Sequence, residues 1–137
     1  MKTFFDSSAF AKRYVEEPGS QAVDDVCQNT TVLALSVLCV PEIISALNRR
    51  LREQRLSRQG YLAAKSRLSA DVADVVVIEL TPAVIVRSIV LLETTALRAM
   101  DALHVACALE WGAGLFVSAD ERQVKAARKS GLHTTFI

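Results

Sequence analysis

Two hydrophobic periods alternate along the chain. Short apolar runs read as strands: Lys2 to Phe5, Thr31 to Ser36 (TVLALS), Val75 to Leu80 (VVVIEL), Leu115 to Ser118 (LFVS) and His133 to Ile137. Between them the spacing is helical. Val40, Ile43, Ile44, Leu47 and Leu51 mark one face of an amphipathic helix, with Pro41 acceptable in its first turn. Helices are also predicted over Ala9 to Glu16, ending at Pro18-Gly19, and over Ser20 to Cys27. Ser57 is placed to cap a helix running to about Ala70, and Thr81 with Pro82 to open another. RAMDALHVACALEWG is apolar nearly all round, as expected of a helix at the centre of a domain, closed by Gly112. Asp120 to Ser130 forms the last helix, with Gly131 as its C-terminal cap. VVVIEL, apolar throughout, reads as a strand buried on both faces. Strands alternating with helices predict an α/β fold around a mostly parallel sheet of about four or five strands.

Composition narrows this picture. With 137 residues and a 51% hydrophobic fraction, the chain can bury one substantial core, so a single domain over residues 1–137 is expected. Charge nearly cancels, at 16 Lys+Arg against 15 Asp+Glu, so only its distribution can point to a nucleic-acid partner. Cys27, Cys39 and Cys107 are scattered, odd in number and without a CxxC pair. They read as buried thiols in a reducing compartment rather than a disulfide framework or zinc site. No secretion signal is visible, and AVIVRSIVLL is too short to span a bilayer and carries Arg87. A cytoplasmic protein without a membrane partner is expected.

Four acids change the picture further. In open parallel sheets, ligands bind beyond the carboxyl ends of the strands. Asp6 directly follows the first predicted strand, and Asp120 lies two residues past LFVS. Glu42 falls in the first turn of the helix after TVLALS, and Asp101 in the first turn of the apolar helix. Any one of them could be a helix cap or a dipole-complementing acid. Four on one rim would repel each other, which a hard divalent cation such as Mg²⁺ or Mn²⁺ resolves. The chemistry this implies is metal-assisted phosphodiester hydrolysis.

FFDSSAFAKRYVEEPGS, PEIISALNRR, LRAMDALHVACAL and FVSADERQVKAA occur in an order that resembles the PIN-domain nucleases, and among them the VapC-type toxins of toxin–antitoxin systems. The resemblance implies a three-layer α/β/α sandwich. It places Asp6, Glu42, Asp101 and Asp120 at the family's acidic quartet, Ser7 and Ser8 at its Asp-Ser/Thr-Ser element, and Ser118 at its small hydroxyl residue before the last acid. It further implies a Mg²⁺- or Mn²⁺-dependent endoribonuclease, often a homodimer, neutralised by a cognate antitoxin protein.

Neighbouring residues carry two readings each. His104 shares a helix face with Asp101 and is expected as a core or supporting histidine. Glu121 is expected as a first-turn acid, with an extra metal ligand as the alternative. Residues 48 to 67 hold the densest basic stretch. Arg49, Arg50 and Arg52, with Lys12 and Arg13 on the first helix, are candidates to hold an RNA backbone; a solvated face is the alternative. A receiver-type signalling domain would need an acidic pair after the first strand and a lysine after the last, and neither is present. A haloacid-type phosphatase would need a second Asp where Ser8 stands. A catalytically silent RNA- or protein-binding module is the remaining alternative.

Overall fold

A computed structural model describes residues Met1–Ile137. The elements are β1 (Lys2–Phe5), α1 (Ser7–Phe10) continued by a 3-10 turn (Ala11–Arg13), α2 (Ser20–Gln28), β2 (Val32–Ser36), α3 (Cys39–Arg52), α4 (Arg58–Ala73), β3 (Val76–Ile78), α5 (Pro82–Thr94), α6 (Ala99–Trp111), β4 (Leu115–Ser118), α7 (Glu121–Lys129) and β5 (Thr134–Phe136). The five strands form one sheet in the order β3-β2-β1-β4-β5, and every pairing is parallel.

Alternation along the strands builds the layers. Phe4, Ala34 and Phe116 face one side, where they pack with α5, α6 and α7; the Phe4 and Phe116 rings stack at 5.9 Å. Phe5, Leu35 and Val117 face the other, with α1, α2, α3 and α4. Successive strand residues point to opposite faces, so three adjacent strands feed two cores. The result is a three-layer α/β/α sandwich, as expected from the sequence. Its apolar helix α6 is buried at Ala102 and from His104 through Ala108.

Local signals set most boundaries. Ser57 Oγ accepts from the Gly60 amide at 2.9 Å, and Thr81 Oγ1 from that of Val84 at 3.2 Å, so both act as N-caps. Gly112 ends α6 in the left-handed region at φ 75°, which L side chains adopt at a cost. The first helix differs from expectation. It starts at Ser7 because Asp6 itself is the cap, and its last turn tightens to 3-10 geometry before Tyr14.

Two apolar segments also differ. β3 is short and lies at the sheet edge, with Val76 and Val77 both exposed, not buried on both faces. Helix α5 buries Val84, Ser88 and Leu91 but leaves Ile85, Val86, Ile89 and Val90 between 41% and 63% exposed. No helix is long and apolar enough to cross a membrane.

Candidate active site

The chain runs β1, β2, β3 to one side of the sheet and then returns to place β4 on the other side of β1. The gap between β1 and β4 is therefore the switch point where such sheets bind ligands. Asp6 follows β1 and Asp120 follows β4, so both stand at this gap. Glu42 reaches it from the first turn of α3, and Asp101 from the first turn of α6.

Asp6 is fully buried and heavily bonded. Its Oδ1 accepts from the Ala9 amide at 3.0 Å, and its Oδ2 from Ser118 Oγ at 2.8 Å. Ser8 Oγ lies 2.8 Å from both carboxylate oxygens. The two serines in turn accept from the amides of Ala119 (3.0 Å) and Asp120 (2.9 Å). Asp6 thus ties the end of β1 to the loop after β4. Burial pushes its carboxyl up, against the opposing pull of the Ala9 amide, Ser8, His104 and Ser118.

Glu42 is held by α1 and α6. Ser7 Oγ donates to its Oε1 at 2.7 Å, and His104 Nε2 makes a short contact with the same oxygen. Burial alone would raise this carboxyl, but the His104 and Ser7 hydrogen bonds outweigh it and hold it below the usual range. Since ionised Glu42 can only accept, Nε2 carries the proton. His104, only 1% exposed, then leaves Nδ1 buried without a partner. His104 is thus a core residue that touches Glu42.

Asp101 and Asp120 are placed differently. Asp120 caps α7 through Oδ1, which accepts from the Arg122 amide at 2.9 Å. Asp101 receives one side-chain hydrogen bond, from Gln123 Nε2 to Oδ1 at 3.1 Å. Burial pushes the Asp101 carboxyl up, and the charge of Asp120 pushes it further, with Glu42 adding to the effect. Gln123 had no signal in the sequence beyond its place on α7. It is 4% exposed, with Oε1 unpartnered.

The oxygen-only donor set fits a hard divalent cation. Glu42 Oε2 and Asp120 Oδ2 accept no hydrogen bond within the chain, and at Asp101 burial and the charges of Asp120 and Glu42 outweigh the opposing pull of His104 and the Arg98 amide. No three carboxylate, imidazole or thiol groups converge into a ready ligand set in this conformation. Asp6 would join one only if Ser8, with one proton for two oxygens, swung away.

The basic candidates divide. Lys12 is bound to the Pro18 carbonyl at 2.8 Å and lies 3.4 Å from Glu17. Arg50 pairs with Glu17 at 2.8 Å. Arg13 lies over the Phe10 ring, with Asp24 at 3.5 Å and Asp71 at 3.8 Å. All three make contacts within the chain. Arg49 and Arg52 are exposed, Arg49 beside Glu53 at 3.2 Å, and with Arg50 and Arg55 they line a groove of about 430 Å³ that begins at Glu42. Glu121 stands exposed in the first turn of α7 with no role in the acid network.

Several solved structures share this fold. Mycobacterium tuberculosis VapC20, a sarcin-ricin loop cleaving toxin, superposes with a TM-score of 0.70 at 19% identity, over 95% of each chain. FitAcB from Neisseria gonorrhoeae gives 0.72 at 13% identity, over 98% of this chain and 96% of the other. VapBC2 from Rickettsia felis, bound to a DNA fragment from its promoter, gives 0.70 at 14% identity, over 100% of this chain and 99% of that one. No curated protein matches the sequence significantly. The PIN domain family model matches residues 3–129, nearly the whole chain with all four acids inside it, and the protein belongs to the PIN domain family.

Proposed function

We propose that the protein is a Mg²⁺- or Mn²⁺-dependent endoribonuclease of the VapC toxin type, held inactive by a cognate antitoxin protein. The observation that carries this reading is that Asp6, Glu42, Asp101 and Asp120 all lie around the same end of the sheet, with the Asp101 carboxyl pushed up by burial first and by the charge of Asp120 next. The likeness to VapC20 and to toxin–antitoxin complexes supports it.

In this reading Asp101 and Asp120 would hold the cation, with Asp6 behind them. The bound cation lowers the pKa of a water and stabilises charge on the attacked phosphate. Glu42 stays ionised, and its free Oε2 accepts a hydrogen bond from the attacking water, orienting it. His104 and Ser7 fix the Glu42 carboxylate so that this oxygen faces outward. Ser8 and Ser118 fix Asp6. Arg49 and Arg52 attract the RNA backbone along the α3 groove, and the antitoxin competes for the same groove.

The exposed apolar face of α5 supports a homodimer. Covering Ile85, Val86, Ile89 and Val90 would remove an apolar patch that a monomer would otherwise leave in water. Light scattering on the parent and on Val86→Glu tests this: a dimer that becomes a monomer agrees, and a parent that is monomeric contradicts it.

The activity itself is tested by incubating the purified chain with RNA in Mg²⁺, in Mn²⁺ and in EDTA. Cleavage in either metal that stops in EDTA is expected. Intact RNA in all three would leave the silent binding module as the better reading.

A further inference from the structure

The outer face of α7 carries cations that the acid site does not use. Arg122, Lys125 and Arg128 are exposed, while Gln123, Val124, Ala126 and Ala127 pack inward. Six cations of the chain have carboxylate partners: Lys12, Arg13, Arg49, Arg50, Arg55 and Arg87. No ion pair of the chain includes Arg122, Lys125 or Arg128. Glu121 and Lys125 have the spacing for a helical pair, yet they do not form one. Arg128 is oriented by a neutral partner, donating from Nη2 to Thr134 Oγ1 at 3.1 Å.

These cations line a groove of about 410 Å³ between α7 and β5, and its other wall is Phe136. Phe136 is 53% exposed, alone among the five phenylalanines, since Phe4, Phe5, Phe10 and Phe116 are wholly buried. Its neighbour Ile137 packs into the core on the opposite side of the sheet, and the Ile137 amide donates to the Ser118 carbonyl at 3.0 Å. Register pairs Phe136 with Ser118, two residues before Asp120. The ring therefore stands one strand away from the acid rim and at its level, where adjacent strands are about 4.8 Å apart. Glu121 is the one acid in the groove, against three cations.

An exposed aromatic ring beside unpaired cations is the arrangement that binds an unpaired nucleic-acid strand: the ring stacks a base and the cations hold phosphates. A duplex hides its base faces and could use only the cations. We propose that the groove between α7 and β5 binds a single-stranded RNA segment next to the scissile bond, with a base stacked on Phe136 and phosphates held by Arg122, Lys125 and Arg128. The strand then crosses the acid rim between this groove and that of α3. The inference rests on the ribonuclease reading and adds a second subsite to it.

The test measures binding of an unstructured, labelled RNA of about 12 nucleotides, within the usual span of single-strand sites, by the full chain in EDTA, so that the strand is bound and not cut. Phe136→Ala is expected to raise Kd about tenfold, the lower part of the range for losing one stacked base, and Phe136→Trp to restore it. The double variant Arg122→Ala/Lys125→Ala should lower the log–log salt slope by about 1.4, since each single-strand phosphate contact accounts for about 0.7. All three sites are exposed, so melting temperatures should not move. Parent-like affinity and salt slope in these variants, while the parent binds and cleaves RNA, overturns the subsite alone. Equal losses on a hairpin duplex also overturn it. A parent that neither binds nor cleaves RNA overturns the ribonuclease reading and the subsite with it.

Discussion

The Asp6–Glu42 half of the acid rim and the Asp101–Asp120 half are built on opposite terms. Asp6 accepts from one amide and two serine hydroxyls, and Glu42 is pinned by Ser7 and His104. Across the gap, Asp101 has one amide hydrogen bond from Gln123 and a repelling neighbour, and Asp120 spends one oxygen on its own helix. The protein satisfies one half through its own side chains more fully than the other. A site built only for stability would have paired Asp101 with one of the sixteen cations in the chain.

The largest effect should come from breaking the satisfied half. His104→Ala removes a buried ring and the Glu42 contact together, and should cost about 2–4 kcal/mol in a urea melt. A loss below about 1 kcal/mol would show that the Glu42–His104 link contributes little to the fold.

Next comes balancing the open half. Mn²⁺ at a hundred times its Kd should stabilise the parent by about 2.7 kcal/mol, read as a rise in melting temperature. Asp101→Asn should lose most of that rise while melting no lower than the parent in EDTA, because the variant has no charge there for Asp120 to repel. A full metal response in Asp101→Asn would remove this residue from the ligand set.

A subtler contrast lies in pH. Asp6 is raised from 3.8, so its contribution to stability is fully present below that value and is lost as pH rises through its folded value. Glu42 is lowered from 4.5, so its contribution is present above that value and is lost as pH falls through its folded value. Asp6→Asn keeps an acceptor for the Ala9 amide and removes the buried charge. In EDTA its stability relative to the parent should therefore improve as pH rises above about 4. A relative stability that worsens as pH rises would mean the Asp6 charge is better compensated than its burial implies.

The smallest effect separates the two classes of arginine. Arg13→Ala strips a half-buried cation from Asp24, Asp71 and the Phe10 ring, and should cost about 1 kcal/mol. Arg49→Ala should leave stability within about 0.5 kcal/mol and reduce only the salt dependence of RNA binding. Similar stability losses for both would erase the division between structural and surface cations.

The sequence made much of this architecture readable, and where it failed the reasons are physical. Caps at Ser57, Thr81 and Gly112 work through neighbours a few residues away, so they were visible. The acids were visible because they follow strand ends, which hydrophobic runs locate well. VVVIEL misled because an apolar run does not reveal whether its strand is central or at an edge; that depends on the order of all five strands. The roles of Gln123, Lys12 and Arg13 stayed hidden for a related reason. Their partners Asp101, Glu17, Asp24 and Asp71 are brought to them by tertiary packing, and no local spacing encodes it. The exposure of Phe136 was hidden as well, because it follows from β5 lying at the sheet edge with Phe136 level with Ser118.

In the proposed mechanism the open half of the rim is where metal and chemistry meet. Its most direct test is the rate of RNA cleavage in Mn²⁺ by the parent and by Asp101→Asn, at equal concentrations and with matched melting curves in EDTA. Cleavage by the parent is expected, with at least a thousandfold loss in the variant (~4 kcal/mol of transition-state stabilisation) and the fold intact. Cleavage by Asp101→Asn at the parent's rate would contradict the mechanism.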